Sequence, residues 1–153
     1  WDRLQVARSE PLDVVPTQIP LKCSTVESVG FPKWTFGPQR QPQFDWTDRS
    51  PENDTRHQSG FYTAFGGCLP LLQQADDQLA IFGPGEAIDW VFEIPAGSAF
   101  KNPTWVLQLT GWCKDMDLLT DRGETLQPLP HQSDQPPSTD LMNILNTRYA
   151  SGR

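Results

Sequence analysis

Thr104 to Pro130 reads TWVLQLTGWCKDMDLLTDRGETLQPLP. Trp105, Leu107 and Leu109 alternate with Val106, Gln108 and Thr110, the period of a strand with one wholly apolar face and one mixed face. This pattern predicts a core strand over Thr104 to Gly111. The strand ends where Lys114, Asp115 and Asp117 follow, because charges this dense stay in water unless partners meet them. Asp121-Arg122-Gly123 then reads as a turn, and Pro128-Leu129-Pro130 as a stop.

Upstream, Ala87 to Ile94 alternates in the same way, with Ile88, Trp90, Phe92 and Ile94 on one face and Asp89, Val91 and Glu93 on the other. About nine residues join the two segments, too few for a parallel crossover, so an antiparallel pair at the centre of a sheet is expected. Phe61 to Phe65 and Leu79 to Phe82 read as further strands, and Leu4 to Ala7 as an edge strand. Leu12 to Leu21 is an extended run confined to an edge by Pro16 and Pro20. A helix of about two turns is predicted from Pro70, with Leu71, Leu72 and Ala75 inward. Asp76-Asp77 at its far end opposes the helix dipole, which calls for a basic neighbour or an earlier stop.

After the linker from Pro128 to Pro137, Ser138 or Thr139 can cap a short helix carrying Leu141, Ile144 and Leu145. Asp140 then falls in its first turn and Arg148 near its last. Fifteen prolines, eleven glycines and six tryptophans in 153 residues fit short elements and long loops. The expected fold is a mainly β, antiparallel, β-sandwich-like single domain with one or two short helices. Residues 1–137 form the sandwich-like part with its extended N-terminal segment, and residues 138–153 the C-terminal helix and tail.

Phe31 to Trp46 concentrates aromatics among Pro32, Pro38 and Pro42. Trp34 and Phe36 share one strand parity and Phe44 and Trp46 another, so each pair can plug one face. The prolines are expected to keep this segment from joining a ladder continuously, leaving part of it across a surface. Two readings compete: the rings cap the domain's own core, or Trp34, Phe36, Arg40, Phe44 and Trp46 anchor a protein partner, being of the residue types enriched at interfaces. Asp48 to Ser59 has no apolar residue and reads as an exposed loop, with a glycosylation sequon at Asn53-Asp54-Thr55 and a solvated His57.

The chain lacks a nucleophile–base motif, a glycine-rich phosphate loop and a metal motif of high specificity. A formal charge of −7 with only four lysines disfavours nucleic acid. No apolar run approaches the roughly 20 residues that span a bilayer, and no signal-peptide core opens the sequence. A first residue other than methionine, Trp1, leads to the expectation of processing or of a longer parent polypeptide. Cys23, Cys68 and Cys113 allow one disulfide or none, and their spacing matches no zinc or redox motif. No cofactor is expected, with structural calcium as the exception: Asp115, Asp117, Asp121 and Glu124 supply hard oxygens, although Leu119 breaks an EF-hand pattern. A glycan-acting hydrolase could draw acid and base from Asp89, Glu93, Asp115 or Asp117, since such pairs need carboxyls about 5–9.5 Å apart in a cleft.

Several phrases recur in a known order. They are Phe61-Tyr62-Thr63-Ala64-Phe65-Gly66, Leu71-Leu72, Asp76-Asp77-Gln78-Leu79-Ala80-Ile81-Phe82-Gly83-Pro84-Gly85-Glu86, Gly111-Trp112-Cys113-Lys114-Asp115-Met116-Asp117, Thr125-Leu126-Gln127-Pro128-Leu129-Pro130-His131 and Asn146-Thr147-Arg148. Over roughly residues 60–148 the chain thus resembles the C-terminal region of bacterial secreted proteins with FG-GAP/VCBS repeats and an ASPIC/UnbV-type segment. The propeller repeats are absent, and Gly67-Cys68 replaces an acidic-aliphatic pair. The resemblance implies export to the periplasm or the exterior, an accessory β-domain without an assigned catalytic residue, and recruitment into a larger assembly, including one associated with a membrane.

Overall fold

The computed structural model describes residues 16–52, 57–98, 100, 102–114, 121–127, 129 and 139–152. They form a small, mainly β architecture of antiparallel sheets with one helix and two 3-10 turns, the class read from the sequence.

The central strand is β1, Leu21–Ser28. It runs between β5, Gly66–Gly67, and β6, Glu86–Phe92, and is antiparallel to both. Two other strands make a hairpin: β2, Phe31–Phe36, and β3, Pro42–Ser50. A third sheet pairs β4, Gly60–Tyr62, with β7, Arg148–Ala150. The α-helix α1, Thr139–Leu145, comes between the body strands and β7.

β1 is central because its inward positions carry small or branched side chains. Ser24 and Val26 are buried there, opposite Trp90 and Ile88 of β6. The small Ser24 lets the next layer approach: its Oγ lies 3.2 Å from Cys68 Sγ, and its carbonyl accepts from Cys68 N at 3.0 Å. Val26, Cys68 and Leu71 form the buried centre, with Leu72, Ala80, Ile88, Met142 and Leu145 packed around it. Full burial of Val26 and of Leu71 stabilises by about 1.5–3 kcal/mol each.

Several expectations give way. Thr104 to Gly111 joins no sheet, and β6 pairs with β1 instead. The connection turns at Pro95–Ser98, where Ser98 N donates to Pro95 O and Gly97 takes φ +84. Phe100 then stacks edge-on against Trp105, with ring centroids 5.7 Å apart, and the apolar residues that follow stay exposed. Residues 16–20 lie outside the strands, but Leu21 opens the central strand rather than an edge. The helix from Pro70 is a single 3-10 turn, Leu69–Leu71. It ends at Leu72, whose φ of -126 lies outside the helical range, and further on Asp76 Oδ1 takes the Gln78 N–H at 2.8 Å, a side-chain turn that competes with helix.

Phe61 to Phe65 holds its strand only to Tyr62, because the Thr63 N–H donates to Ile81 O at 2.9 Å. Leu79 to Phe82 meets the body through that bond and forms no strand. Arg148 lies in β7, beyond the last turn of α1, and the tail is tied down where Gly152 N donates to Ser59 Oγ at 2.6 Å. Leu4 to Ala7, the sequon and Ser138 lie outside the described residues. Cys23 and Cys68 carry free thiols, the first exposed and the second buried; Cys113 is exposed.

Phe31 to Trp46 does join a ladder. Its prolines sit where a hairpin tolerates them, with Pro32 at the bulge, Pro42 opening β3 and Pro38 in the 3-10 turn Pro38–Arg40 at the tip. β3 continues to Ser50, into the stretch expected to be loop.

Candidate functional site

Two regions concentrate side chains that could carry function. The first is enclosed. Arg148 and Glu86 form a two-pronged ion pair, NH1 to Oε1 at 2.8 Å and NH2 to Oε2 at 2.9 Å, with the Glu86 side chain only 8% exposed. Glu86 Oε2 also accepts from Gly83 N at 2.8 Å, and Arg148 Nε donates to Thr63 O at 3.1 Å. The guanidinium lies 4.2 Å from the centre of the Phe65 ring and 5.3 Å from that of Tyr62, within cation–π range. A planar fork suits this place because it meets carboxylate, carbonyl and ring faces together.

Beside the pair, Thr63 Oγ1 donates to Asn146 Oδ1 at 2.6 Å and accepts from Ile81 N at 2.7 Å. Asn146 Nδ2 donates to Leu79 O at 3.1 Å. Tyr62 Oη donates to Gln58 O at 2.8 Å, and Gln58 Nε2 reaches Gly123 O at 2.9 Å. Burial and the nearby Glu86 charge raise the Tyr62 phenol above its ordinary value, since both oppose a phenolate. Three phrases distant in sequence, around Thr63, Glu86 and Arg148, therefore meet at one point. Sequence reasoning missed this cluster, although each of the phrases that hold it, FYTAFG, FGPGE and NTR, was singled out. Its polar groups satisfy one another, so it ties two sheets, through β6 and the β4–β7 pair, and the end of α1 onto one centre.

The second region is open. Register places Trp34 opposite Phe44 and Phe36 opposite Pro42, so these residues share one face of the hairpin. Trp46 enters the bulge, and its ring lies 5.9 Å from Phe44 at a 37° tilt, extending the row. Trp34 and Phe36 meet edge-on at 5.0 Å. Trp34, Phe36, Phe44 and Trp46 are 52%, 67%, 51% and 59% exposed, so the other described residues leave them largely uncovered.

The opposite face is polar. Lys33 Nζ meets Asp48 Oδ2 at 2.6 Å, and Asp45 Oδ1 accepts from Thr47 N at 2.9 Å and Thr47 Oγ1 at 2.6 Å. The Thr47 bonds hold the Asp45 carboxyl below its ordinary value, and the Asp48 contact holds the Lys33 ammonium above its own. At the root, Gly85 (φ +77) leaves room for the Phe31 ring, which lies 2.7 Å from where a Cβ would sit. Arg49 Nε donates to Trp46 O at 2.8 Å. At the tip, Gln39 and Arg40 take φ of 68 and 57, a left-handed pair that closes the hairpin at a cost of roughly 1–2 kcal/mol per residue. The five residues read as partner anchors, Trp34, Phe36, Arg40, Phe44 and Trp46, thus lie on one exposed hairpin.

The acidic candidates are less gathered. Asp115 and Asp117 lie outside the described residues. Asp121 is in a turn, and Glu124 is exposed, its carbonyl accepting from Ser59 N at 2.7 Å. Among the described residues no three His, Cys, Asp or Glu side chains come together as a metal site. Asp89 is exposed on β6, and the exposed Glu93 pairs with Lys22 at 2.8 Å. A shallow hollow of about 230 Å³ at the hairpin root is lined by Ser28, Val29, Gly30, Arg49, Ser50 and Pro51, with no carboxylate side chain among them. No helix among the described residues is long and apolar enough to cross a membrane.

Comparison with protein-family models, with curated proteins and with solved structures finds no match.

Proposed function

We propose that this chain is a non-catalytic structural or protein-interaction subunit of a larger assembly that works in the periplasm or outside the cell, and that it binds a protein partner through the aromatic face of the β2–β3 hairpin. The observation that carries this reading is the row Trp34, Phe36, Phe44 and Trp46, each more than half exposed on one face of a hairpin whose other face is polar. Aromatic rings in such a row are typical anchors of interface cores, and Arg40 at the tip and Arg49 at the root add the cation most often found among them. A two-stranded hairpin is marginal alone, and a partner packed on its apolar face would complete its layer. The likeness of the six phrases to exported bacterial proteins supports the location.

The test is the size of the native complex in extract, followed for the wild type and for Trp34→Ala and Trp46→Ala. The wild type is expected in a stable hetero-complex that both substitutions weaken while the isolated domain stays folded. A free monomer in native extract, or a complex that both variants retain in full, overturns the reading.

A further inference from the structure

Among the described residues, one segment has the pattern of a strand without a sheet, and one sheet edge has no strand beside it. Thr104 to Thr110 has the alternation and the Trp, Val, Leu and Thr content of a strand, yet it makes no backbone hydrogen bond to the described residues. Trp105, Val106, Leu107 and Leu109 are 60%, 85%, 55% and 63% exposed, and Trp112 follows at 51%. β6 pairs with β1 on one side only, and no described strand lies along its outer edge. Near the end of that edge the chain presents Val91, Phe92 and Ile94, all substantially exposed. An unpaired row of N–H and C=O groups flanked by apolar side chains is a template for strand addition.

We propose that Thr104 to Thr110 of one copy adds as a strand to the outer edge of β6 in a second copy, reciprocally, giving a strand-exchanged homodimer. The surface differs from the aromatic hairpin, which stays free for another partner.

Three observations select a second copy. The connection within one chain carries Pro95 and Pro103, and the Phe100–Trp105 stack engages the start of the segment away from any ladder. Exchange between copies satisfies the same backbone without folding that connection back, a low-cost route to a dimer. Charge is the second point. TWVLQLTGWC, residues 104–113, has no ionisable acid or base apart from the Cys113 thiol, whereas β6 carries the exposed Asp89 in a chain of formal charge −7. A neutral strand can approach this edge where an acidic one would be repelled. Area is the third. Tryptophans carry about 150–250 Å² each. Two half-exposed tryptophans and three aliphatics from each copy, with the residues they cover, reach on the order of the 1,200 Å² of a stable interface.

The test uses the full chain in size-exclusion chromatography with light scattering, over a series reaching roughly hundred-micromolar concentration. The probe is the double substitution Val106→Pro with Leu107→Pro. Adjacent strand N–H groups point to opposite sides, so the pair removes a ladder donor whichever side faces β6. The wild type is expected as a dimer and the double variant as a monomer with circular dichroism like that of the diluted, monomeric wild type. A wild type that stays monomeric throughout overturns the proposal. So does a double variant that still dimerises, or one that loses its fold, which would place the strand against its own chain. Trp34→Ala is expected to leave the dimer intact; its dissociation would assign self-association to the hairpin instead. Loss of the hetero-complex with the dimer retained separates failure of one reading from failure of the other.

Discussion

Around Arg148 polar groups are enclosed and paired; along the β2–β3 hairpin apolar groups touch one another but stay open to solvent. The enclosed region takes charged and hydroxyl side chains from three distant parts of the chain and leaves them few alternatives to one another. The hairpin takes its rings from two adjacent strands and keeps them half in water. The difference teaches where stability and recognition lie. Buried polar contacts are costly to break from one side, because the remaining partner loses water without compensation. Exposed rings are cheap to remove from the monomer, because little contact is lost when they go. Perturbing the two regions should therefore separate folding from assembly.

The largest expected effect is Arg148→Ala. It leaves the Glu86 carboxylate buried and unpaired, for a loss of about 3–5 kcal/mol in chemical denaturation. Arg148→Lys should recover only part of it, since an ammonium cannot hold both Glu86 oxygens and Thr63 O in one plane. A variant as stable as the wild type would mean that the pair is not enclosed.

Thr63→Val comes next. It strands Asn146 Oδ1 and the Ile81 N–H, and about 1–3 kcal/mol should be lost. Combined with Asn146→Ala, the loss should fall short of the sum, with a coupling of about 0.5–3 kcal/mol in a double-mutant cycle. Additive losses would show that the two side chains act separately.

A smaller effect is expected in alkali. The Tyr62 phenol is raised in the fold, so the unfolded chain gives up its proton first as pH rises. The folded state then binds more protons than the unfolded one, and stability falls from about the unfolded value of 10 upward until the folded phenol ionises. Ultraviolet titration of Tyr149→Phe, which isolates Tyr62, should show a midpoint above that of free tyrosine. In Tyr62→Phe the alkaline loss of stability should shrink.

The smallest effect belongs to the hairpin. Trp34→Ala and Trp46→Ala should each cost less than about 1 kcal/mol in the isolated domain, the scale of a single cross-strand pair. A loss comparable to that of Arg148→Ala would mean that the rings support the fold, and the contrast between the two regions would collapse.

The mainly β, antiparallel class, the short helix near Leu141 to Leu145 and the alternation of β6 were legible because each depends on local period and on proline placement. The parity of the aromatic pairs was legible for the same reason: a strand sets its faces two residues at a time. β1 was not legible, because LKCSTVES is polar and gains its central place only when Ser24 and Val26 meet the Cys68–Leu71 turn. That Trp105 to Leu109 joins no sheet among the described residues was equally hidden, since a strand pattern states which faces are apolar and not whether an edge is near.

What the sequence by itself determined is therefore local: strand periods, turn positions, the proline stops and the acidic balance. What only the tertiary structure decided is pairing. It set Glu86 against Arg148 across 62 residues and Thr63 against Asn146 across 83, and it left the four aromatic rings of the hairpin face more than half exposed. Local propensities depend on neighbouring residues, whereas ion pairs and exposed faces depend on which distant surfaces meet, and many arrangements of the same periods compete until one buries its polar groups satisfied.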